Sequence, residues 1–217
     1  MSPTQLRAAI FDYGGVLTTS GRAALADWTR QEGIRRETYT AALKEWLAPG
    51  APPGNPIHLL ETGEIDAEEF NRALAARLRT TDGGPVAPDD LLGRLFGHMR
   101  SDEEMLRLVR DLRDQGVRTA LLSNSWGNEY PWELLDGLFE VAVISGEVGL
   151  RKPDPRIYRL TLEKLGLAPH EAVFVDDGPQ NVEAAQDIGL HAILHTDAAS
   201  TRAALAGLQT HHAQENR

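Results

Sequence analysis

The sequence predicts an α/β fold, in which helices cover both faces of an open parallel sheet. Several short apolar runs have the length and composition of buried strands. Amphipathic helical patterns lie between most of these runs, and such alternation is typical of parallel sheets. One long block, residues 21–98, contains helical patterns only and interrupts the alternation after the first run. The 217 residues are therefore expected to form a sheet core that carries an inserted helical segment.

The first strand is predicted at residues 8–11, Ala-Ala-Ile-Phe, and runs into Asp12 and the pair Gly14-Gly15. Its continuous apolar character indicates a strand that is covered on both faces. The glycine pair indicates a tight turn directly after the strand. The other strands are predicted at residues 118–122, 141–144, 172–175 and 192–194.

The helices of the predicted core have start and stop signals in the sequence. Residues 101–104, Ser-Asp-Glu-Glu, match a capping box with Ser101 as the N-cap, and the apolar face that follows ends at Gly116. Two further helices are predicted over residues 154–165 and 181–188, because a glycine follows each of them closely.

The inserted block has four predicted helices and two loops. The helices are expected at residues 23–31, 37–47, 66–79 and 88–99, and the loops at residues 48–56 and 80–88. We therefore divide the chain into a core of residues 1–20 and 99–210 and a helical insert of residues 21–98. Residues 211–217 are polar and are expected to form a flexible tail.

Composition excludes several classes of function. The formal net charge is −10 at pH 7 and no Lys/Arg run is longer than Arg35-Arg36, which argues against a nucleic-acid partner. No apolar stretch reaches the roughly 18 residues of a membrane helix, and no signal peptide is recognisable. The chain has no cysteine, which excludes thiolate ligands and suits a reducing compartment. We expect a soluble cytoplasmic protein, and its oligomeric state is not indicated.

Polar side chains follow three of the predicted strands. Ligands of open α/β sheets bind beyond the carboxyl ends of the strands. The residues expected at that edge are Asp12, Ser123, Asn124, Asp176 and Asp177. Lys152 lies in a proline-bounded loop, residues 149–155, just before a predicted helix. Each of these residues alone is commonly a turn former, a helix cap or an exposed charge. Together they predict one crevice with three carboxylates, a hydroxyl and a cation.

Four segments resemble the four motifs of the haloacid dehalogenase-like superfamily, in the same order and on the expected elements. They are residues 11–17 (FDYGGVL), 121–125 (LLSNS), 149–158 (GLRKPDPRIY) and 173–181 (VFVDDGPQN). The resemblance covers nearly the whole chain and is greatest to the group that includes the N-terminal phosphatase domain of soluble epoxide hydrolase. It implies a Rossmann-like three-layer core, a helical cap of the C1 type over residues 21–98, and a Mg²⁺-dependent phosphatase acting on a small phosphorylated substrate.

The resemblance also implies the residues that bind the metal. Asp12 would give one oxygen to Mg²⁺ and attack phosphorus with the other, forming an aspartyl-phosphate that water hydrolyses. Gly14 would contribute its backbone carbonyl and Asp177 the second carboxylate, while Asp176 would act through water. Asn181 would orient these ligands.

Three further residues are expected at the phosphoryl group. By the same resemblance, Lys152 would neutralise the phosphoryl oxygens and keep Asp12 ionised by lowering its pKa. Ser123, through its hydroxyl, and Asn124, through its backbone N–H, would donate hydrogen bonds to a phosphoryl oxygen.

One position departs from the family pattern. Phosphatases of this superfamily carry a second acid two residues after the nucleophile, and here that position is Gly14. The second acid protonates the leaving group and then activates water, and such help is worth roughly 10²–10⁴-fold in rate.

Three interpretations follow from this departure. The chain is a phosphatase whose acid comes from another group, from solvent or from the substrate; or it is a 2-haloacid dehalogenase-like hydrolase; or it is a weakly active domain that binds a phosphorylated ligand or a protein. The adjacent acids Asp176 and Asp177 favour a metal, and therefore the phosphatase, because carboxylates repel each other without a cation.

Other conspicuous residues have a structural interpretation that is at least as good. His58 and His98 fall in the predicted cap and could face the substrate, but a solvated or packed histidine is the more frequent case. Trp126, Tyr130 and Trp132 follow the second motif and could line the mouth of the cleft, although we favour packing slightly.

Overall fold

The computed structural model describes residues 6–48, 50–52, 54–127 and 130–214, with side chains to residue 208. Five parallel strands form one sheet in the order β3-β2-β1-β4-β5. The strands are β1 (Ala8–Phe11), β2 (Arg118–Ser123), β3 (Val141–Ile144), β4 (Ala172–Asp176) and β5 (His191–Leu194). Every predicted strand is present, and the α/β fold with a parallel sheet is confirmed.

The central strand shows why the sheet is buried on both faces. Ala9 and Phe11 of β1 belong to one hydrophobic cluster, while Ala8 and Ile10 belong to another on the opposite face. All four residues are fully buried, as the alternation of side chains along a strand requires when helices cover both faces. β1 lies between β2 and β4, so its carboxyl end opens into the middle of the sheet edge.

The helices of the core flank this sheet. They are α6 (Glu103–Asp114), α7 (Trp132–Leu135), α8 (Ser145–Val148), α9 (Pro155–Leu165), α10 (Pro179–Asp187) and α11 (Ala198–Gln214). A single 3₁₀ turn, Pro169–Glu171, precedes β4. The short α7 and α8 and the long α11 are not among the predicted helices, and α10 begins two residues earlier than predicted.

The predicted capping box at the start of α6 is wrong. Asp102, not Ser101, is the N-cap, and its carboxylate accepts hydrogen bonds from the backbone N–H groups of Glu104 (2.9 Å) and Met105 (3.0 Å). Ser101 instead forms an antiparallel bridge with Thr18, which keeps the chain extended at that residue. A long-range backbone pairing therefore moves the helix start by one residue.

In its described residues, the helical insert, residues 21–98, contains five helices and a hydrophobic core of its own. The helices are α1 (Gly21–Gln31), α2 (Arg36–Trp46), α3 (Pro56–Glu61), α4 (Ala67–Arg77) and α5 (Leu91–Phe96). Trp28, Phe70 and Leu74 are fully buried at the centre of this core. α3 follows directly on a stretch that was predicted to be a loop, and α5 is shorter than the helix predicted over residues 88–99.

The chain crosses between core and insert twice, and the two crossings lie side by side. Besides the bridge of Thr18 with Ser101, the backbone N–H of Thr19 donates to the carbonyl of Arg100 at 2.7 Å, and that of Asp102 donates to Leu17 at 2.8 Å. The division of the chain at residues 20 and 99 stays a prediction.

The C-terminal end of the described chain is helical. α11 continues to Gln214, so the predicted flexible tail of residues 211–217 is helical over its first four residues, and residues 215–217 lie outside the described part. Within the described residues, none of the helices combines the length and apolar character needed to cross a membrane.

Candidate active site

The site is built around Asp12, the first residue after β1. Its backbone N–H donates to the carbonyl of Val175 in β4 at 2.9 Å, which fixes it at the carboxyl edge of the sheet. Only 8% of Asp12 is exposed. The ammonium of Lys152 lies between two carboxylates, 2.7 Å from Oδ1 of Asp12 and 2.6 Å from Oδ2 of Asp176. Lys152 is 1% exposed, so its ammonium is shielded from solvent and is available to the two acids and to a molecule bound in the crevice.

Asp176, at the end of β4, is held through both of its oxygens. Oδ2 contacts Lys152, while Oδ1 accepts hydrogen bonds from the backbone N–H of Gly178 (2.7 Å) and from Nδ2 of Asn181 (3.0 Å). The backbone carbonyl of Asn181 accepts a hydrogen bond from the hydroxyl of Tyr158 at 3.0 Å. Asn181 thus contacts Asp176, and its role in orienting the acids stays a prediction.

Three carboxylates converge at this edge. Asp12, Asp176 and Asp177 each present an oxygen, and the three oxygens lie within 4.8 Å of one another. Three hard oxygen donors at this spacing fit a divalent cation such as Mg²⁺, which prefers carboxylates, carbonyls and water as ligands. The donor set therefore suits the metal that the sequence predicted.

The glycine turn after Asp12 leaves room for the side chain of Asp177. Gly15 has a φ of +80°, and a Cβ built there would lie 2.3 Å from Oδ2 of Asp177. Only glycine accepts both the left-handed backbone and this close approach. By contrast, a Cβ built on Gly14 meets no atom within 4 Å. The space beside Gly14 is open, so crowding does not explain the lack of a second acid there.

The pKa values reflect the excess of negative charge. Burial raises the pKa of Asp12 to about 7; Lys152 acts against this rise and Asp176 adds to it. Lys152 does act to lower the pKa of Asp12, as expected, but burial outweighs the ion pair and the net pKa is raised. Burial, together with the charge of Asp176, also raises the pKa of Asp177. Burial disfavours the charged form of Lys152, but Asp12 and Asp176 outweigh it and raise its pKa to about 12.

Ser123 ends β2, Asn124 follows it, and both lie at the same edge of the sheet. The side chain of Asn124 exchanges two hydrogen bonds with the backbone of Lys152: Nδ2 donates to the carbonyl at 3.0 Å, and Oδ1 accepts from the N–H at 2.8 Å. This use of the Asn124 side chain was not predicted. Ser123 is 3% exposed, and its Oγ accepts a hydrogen bond from the hydroxyl of Tyr130 at 3.0 Å.

Aromatic residues line one side of the site and join the insert to the core. Tyr130 packs edge-on against Tyr13, with ring centroids 5.0 Å apart, and lies 5.3 Å from Trp132, which is 45% exposed. The sequence favours packing only slightly for Tyr130, and the contact of its hydroxyl with Ser123 places it beside the site. Trp126 packs against the core of the insert, next to Phe70 at 5.7 Å, which agrees with the packing interpretation.

The two histidines singled out in the insert differ in their surroundings. His58 lies in α3, where partial burial and the positive charge of Arg151 lower its pKa. Its imidazole is therefore biased toward the neutral form. His98 lies just beyond α5.

Comparison with known proteins places these features in a family. Residues 6–189 match the family described as haloacid dehalogenase-like hydrolase. The chain is 32% identical over 194 residues to acyl-CoA dehydrogenase family member 10 of Mus musculus, covering 86% of this chain and 18% of that protein. It is 29% identical over 207 residues to bifunctional epoxide hydrolase 2 of Sus scrofa, covering 88% of this chain and 37% of that protein. The chain thus spans only a fraction of these two relatives.

A relative of similar length and two solved structures agree with this match. The sesquiterpene phosphatase astK of Aspergillus oryzae is 29% identical, with 91% of this chain and 94% of that protein covered. A predicted HAD-like family hydrolase of Porphyromonas gingivalis has a TM-score of 0.69 at 24% identity, with 94% and 98% covered. A HAD family enzyme of Bacteroides thetaiotaomicron, solved with magnesium and inorganic phosphate, has a TM-score of 0.65 at 20% identity, with 88% and 94% covered.

Proposed function

Since the chain belongs to the haloacid dehalogenase-like hydrolases, we propose that it is a Mg²⁺-dependent phosphatase that hydrolyses a small phosphorylated metabolite through an aspartyl-phosphate on Asp12. The observation that carries this proposal is the convergence of Asp12, Asp176 and Asp177, with oxygens within 4.8 Å of one another, beside the buried ammonium of Lys152. Names of relatives support the class of reaction, since one is a sesquiterpene phosphatase and one neighbour was solved with magnesium and phosphate.

Asp12, Asp177 and the carbonyl of Gly14 would hold the metal, with Asp176 behind them. When bound, Mg²⁺ supplies positive charge that offsets the repulsion between the carboxylates and a phosphoryl group. Burial and the neighbouring charge of Asp176 both raise the pKa values of Asp12 and Asp177. A divalent cation bound to these carboxylates would offset both effects.

The reaction would use the residues of the crevice in two steps. A carboxylate oxygen of Asp12 attacks phosphorus, the bond to the leaving oxygen breaks, and an aspartyl-phosphate results. Lys152 holds the other side of the carboxylate and faces the phosphoryl oxygens, while Ser123 and the Asn124 N–H donate hydrogen bonds to them. Water then attacks the phosphoryl group and releases phosphate and free Asp12.

The proton for the leaving group has no evident donor at position 14. We propose that solvent or the substrate supplies it, which favours substrates whose leaving group is stable as an anion or is itself acidic. The helical insert would act as a cap that closes over the crevice and contacts the leaving group, which determines the substrates that are accepted.

Phosphate release from p-nitrophenyl phosphate and from a panel of phosphometabolites, with Mg²⁺ or with EDTA, tests the proposal. We expect turnover with Mg²⁺ and none with EDTA. Asp12→Asn removes the nucleophile while preserving the shape of the side chain, and it is expected to abolish turnover in a folded protein. Asp27→Asn, at an exposed residue of α1, is the matched control.

Two outcomes would reject the phosphatase. Silence of the wild-type protein over the whole panel in both conditions excludes the enzyme and leaves the binding interpretation. Chloride release from 2-chloropropionate in the presence of EDTA would identify a dehalogenase instead, because that reaction proceeds by carboxylate attack on carbon without a metal.

A further inference from the structure

Glu61 is a carboxylate of the helical insert whose two oxygens are both held by the core. It is the last residue of α3, and only 6% of its side chain is exposed. Oε1 accepts a hydrogen bond from Nε1 of Trp126 at 3.0 Å, and Oε2 accepts one from Nε of Arg151 at 2.5 Å. Both partners lie far away in the sequence, so this contact exists only when the insert is seated on the core.

The backbone around Glu61 is seated on the core as well. Its carbonyl accepts a hydrogen bond from Oγ of Ser145 at 2.5 Å, and the same Oγ accepts one from the backbone N–H of Ser125 at 2.8 Å. Two residues further on, Gly63 approaches the core so closely that a Cβ built on it would lie 2.5 Å from the carbonyl oxygen of Gly146. The insert and the core therefore meet here without space for an intervening side chain.

The two partners of the Glu61 carboxylate flank the two loops that carry the phosphoryl-binding groups. Trp126 lies two residues after Asn124, and Arg151 directly precedes Lys152. Those loops are already joined to each other through the hydrogen bonds between Asn124 and Lys152. Through Glu61, the insert is joined to both of these loops.

The energetic contribution of the Glu61–Arg151 pair depends on its burial. The pair of Arg72 with Glu68 on the surface of the insert has side chains 56% and 82% exposed, and such pairs contribute little. Glu61 is removed from water, so its charge is tolerated only because Arg151 and Trp126 are in place. Displacing either loop would leave a buried carboxylate with an unmade hydrogen bond, which is costly. The position of the insert and the position of both loops are therefore coupled.

We propose that Glu61 is a positioning residue, which links closure of the insert over the crevice to the placement of Lys152 and of the Ser123–Asn124 loop. The proposal deepens the proposed phosphatase function and rests on it. Glu61 does not touch the phosphoryl group. It acts through Arg151 and Trp126, so the site is complete only when the insert is closed.

Glu61→Gln tests this link with little change of shape. Glutamine is uncharged and has one acceptor oxygen, so it can accept from Trp126 or from Arg151 but not from both. We expect kcat for p-nitrophenyl phosphate, per folded molecule, to fall about tenfold or more, since small misplacements of catalytic groups cost up to ~10²-fold. KM should change less than kcat. Glu64→Gln, at an exposed glutamate of the same segment, is the control and should stay within about twofold of wild type.

A double-mutant cycle separates positioning from general destabilisation. Arg151 has 22% of its side chain exposed, so Arg151→Gln is the second variant should Glu61→Gln fail to fold. We expect Arg151→Gln to lower kcat similarly and the double variant to be no worse than either single variant, because the two residues act as one unit. Additive losses in kcat would overturn the proposal. A kcat within about twofold of wild type for Glu61→Gln would overturn it too.

Hydrogen exchange distinguishes failure of this inference from failure of the phosphatase proposal. We expect Glu61→Gln, but not Glu64→Gln, to speed amide exchange in residues 121–127 and 149–155. Inactivity of the wild-type protein, together with this exchange pattern in the two variants, rejects the phosphatase and keeps the structural link. Equal exchange in the two variants rejects the link, whatever the activity.

Discussion

The side-chain amide of Asn124 and the backbone of Lys152 exchange two hydrogen bonds, of 3.0 and 2.8 Å. This pairing joins the loop after β2 to the loop before α9, and it thereby fixes where the ammonium of Lys152 meets Asp12 and Asp176. The ammonium sits at the end of a long flexible side chain, so its position depends on a firm backbone.

The first prediction concerns this pairing. Asn124→Ala removes both hydrogen bonds and leaves two backbone groups of Lys152 without these partners. We expect kcat to fall about 10- to 100-fold, with a smaller change in KM, because Lys152 is no longer held in place. Steady-state kinetics on p-nitrophenyl phosphate, with circular dichroism to verify folding, check this. A variant that keeps wild-type kcat would show that the loop is fixed by other contacts.

The second prediction concerns Mg²⁺ and pH. Asp12 has a pKa raised to about 7 and that of Asp177 is also raised. A carboxyl whose folded-state pKa exceeds its unfolded value contributes stability at low pH, and this contribution is lost as pH rises from about 4 to about 7. The metal-free protein should lose this contribution over that window, while Mg²⁺ should offset the loss because it binds the ionised carboxylates.

Thermal unfolding at pH 5 and pH 8, with EDTA or with Mg²⁺, tests the second prediction. We expect Mg²⁺ to raise Tm at pH 8 more than at pH 5, since protons compete with the metal at low pH. In Asp12→Asn the difference between the two pH values should shrink. An equal rise of Tm at both pH values in the wild-type protein would contradict the assignment of these carboxylates as the metal site.

The third prediction concerns the open space at Gly14. A Cβ built there meets no atom within 4 Å and Gly14 has no positive φ, so we expect Gly14→Asp to be accommodated without backbone strain. A carboxyl at this position can protonate a leaving oxygen, and we expect kcat to rise about 10-fold or more for alkyl phosphates. The rise should be smaller for p-nitrophenyl phosphate, whose leaving group needs no proton. A uniform change for both substrates would indicate altered metal binding instead of acid catalysis.

The fourth prediction concerns the neighbouring glycine. Gly15→Ala places a Cβ 2.3 Å from Oδ2 of Asp177 and forces an L-residue to a φ of +80°. The backbone strain alone costs on the order of 1–3 kcal/mol. We expect a lower Tm and a weaker response of activity to Mg²⁺, because Asp177 must move. Gly21→Ala is the control, because φ there is not positive and a Cβ built on Gly21 meets no atom within 4 Å. It should behave as wild type in both measurements.

Much of the core could be predicted from sequence because its signals are local. The strands are short apolar runs, and the glycines that follow α9 and α10 lie next to the helix ends that they mark. The order of the acids along the chain also indicated a common edge, since parallel strands bring their carboxyl ends together. Asp12, Asp176 and Asp177 do lie together there.

The remaining features depend on contacts between distant residues. Ser101 has the sequence of an N-cap, but its bridge to Thr18 determines the backbone at that point. Glu61 and Arg151 are 90 residues apart, and nothing near either residue in the sequence indicates the other. The net rise in the pKa of Asp12 was missed for a related reason: the sequence shows the cation nearby, but not how completely the site is removed from water.

The adjacent crossings at Thr18 and Ser101 have a consequence for how such a chain can vary. The backbone segments that enter and leave the helical insert lie side by side. The insert is therefore attached to the core at the same two adjacent positions, whatever residues lie between them. Residues elsewhere in the insert can be exchanged, added or removed without displacing Asp12, provided that Glu61 and its contacts with Arg151 and Trp126 are kept. New leaving-group preferences can therefore arise, by selection or by grafting a foreign helical segment that keeps the Glu61 contacts, while the chemistry at the strand ends is left as it was.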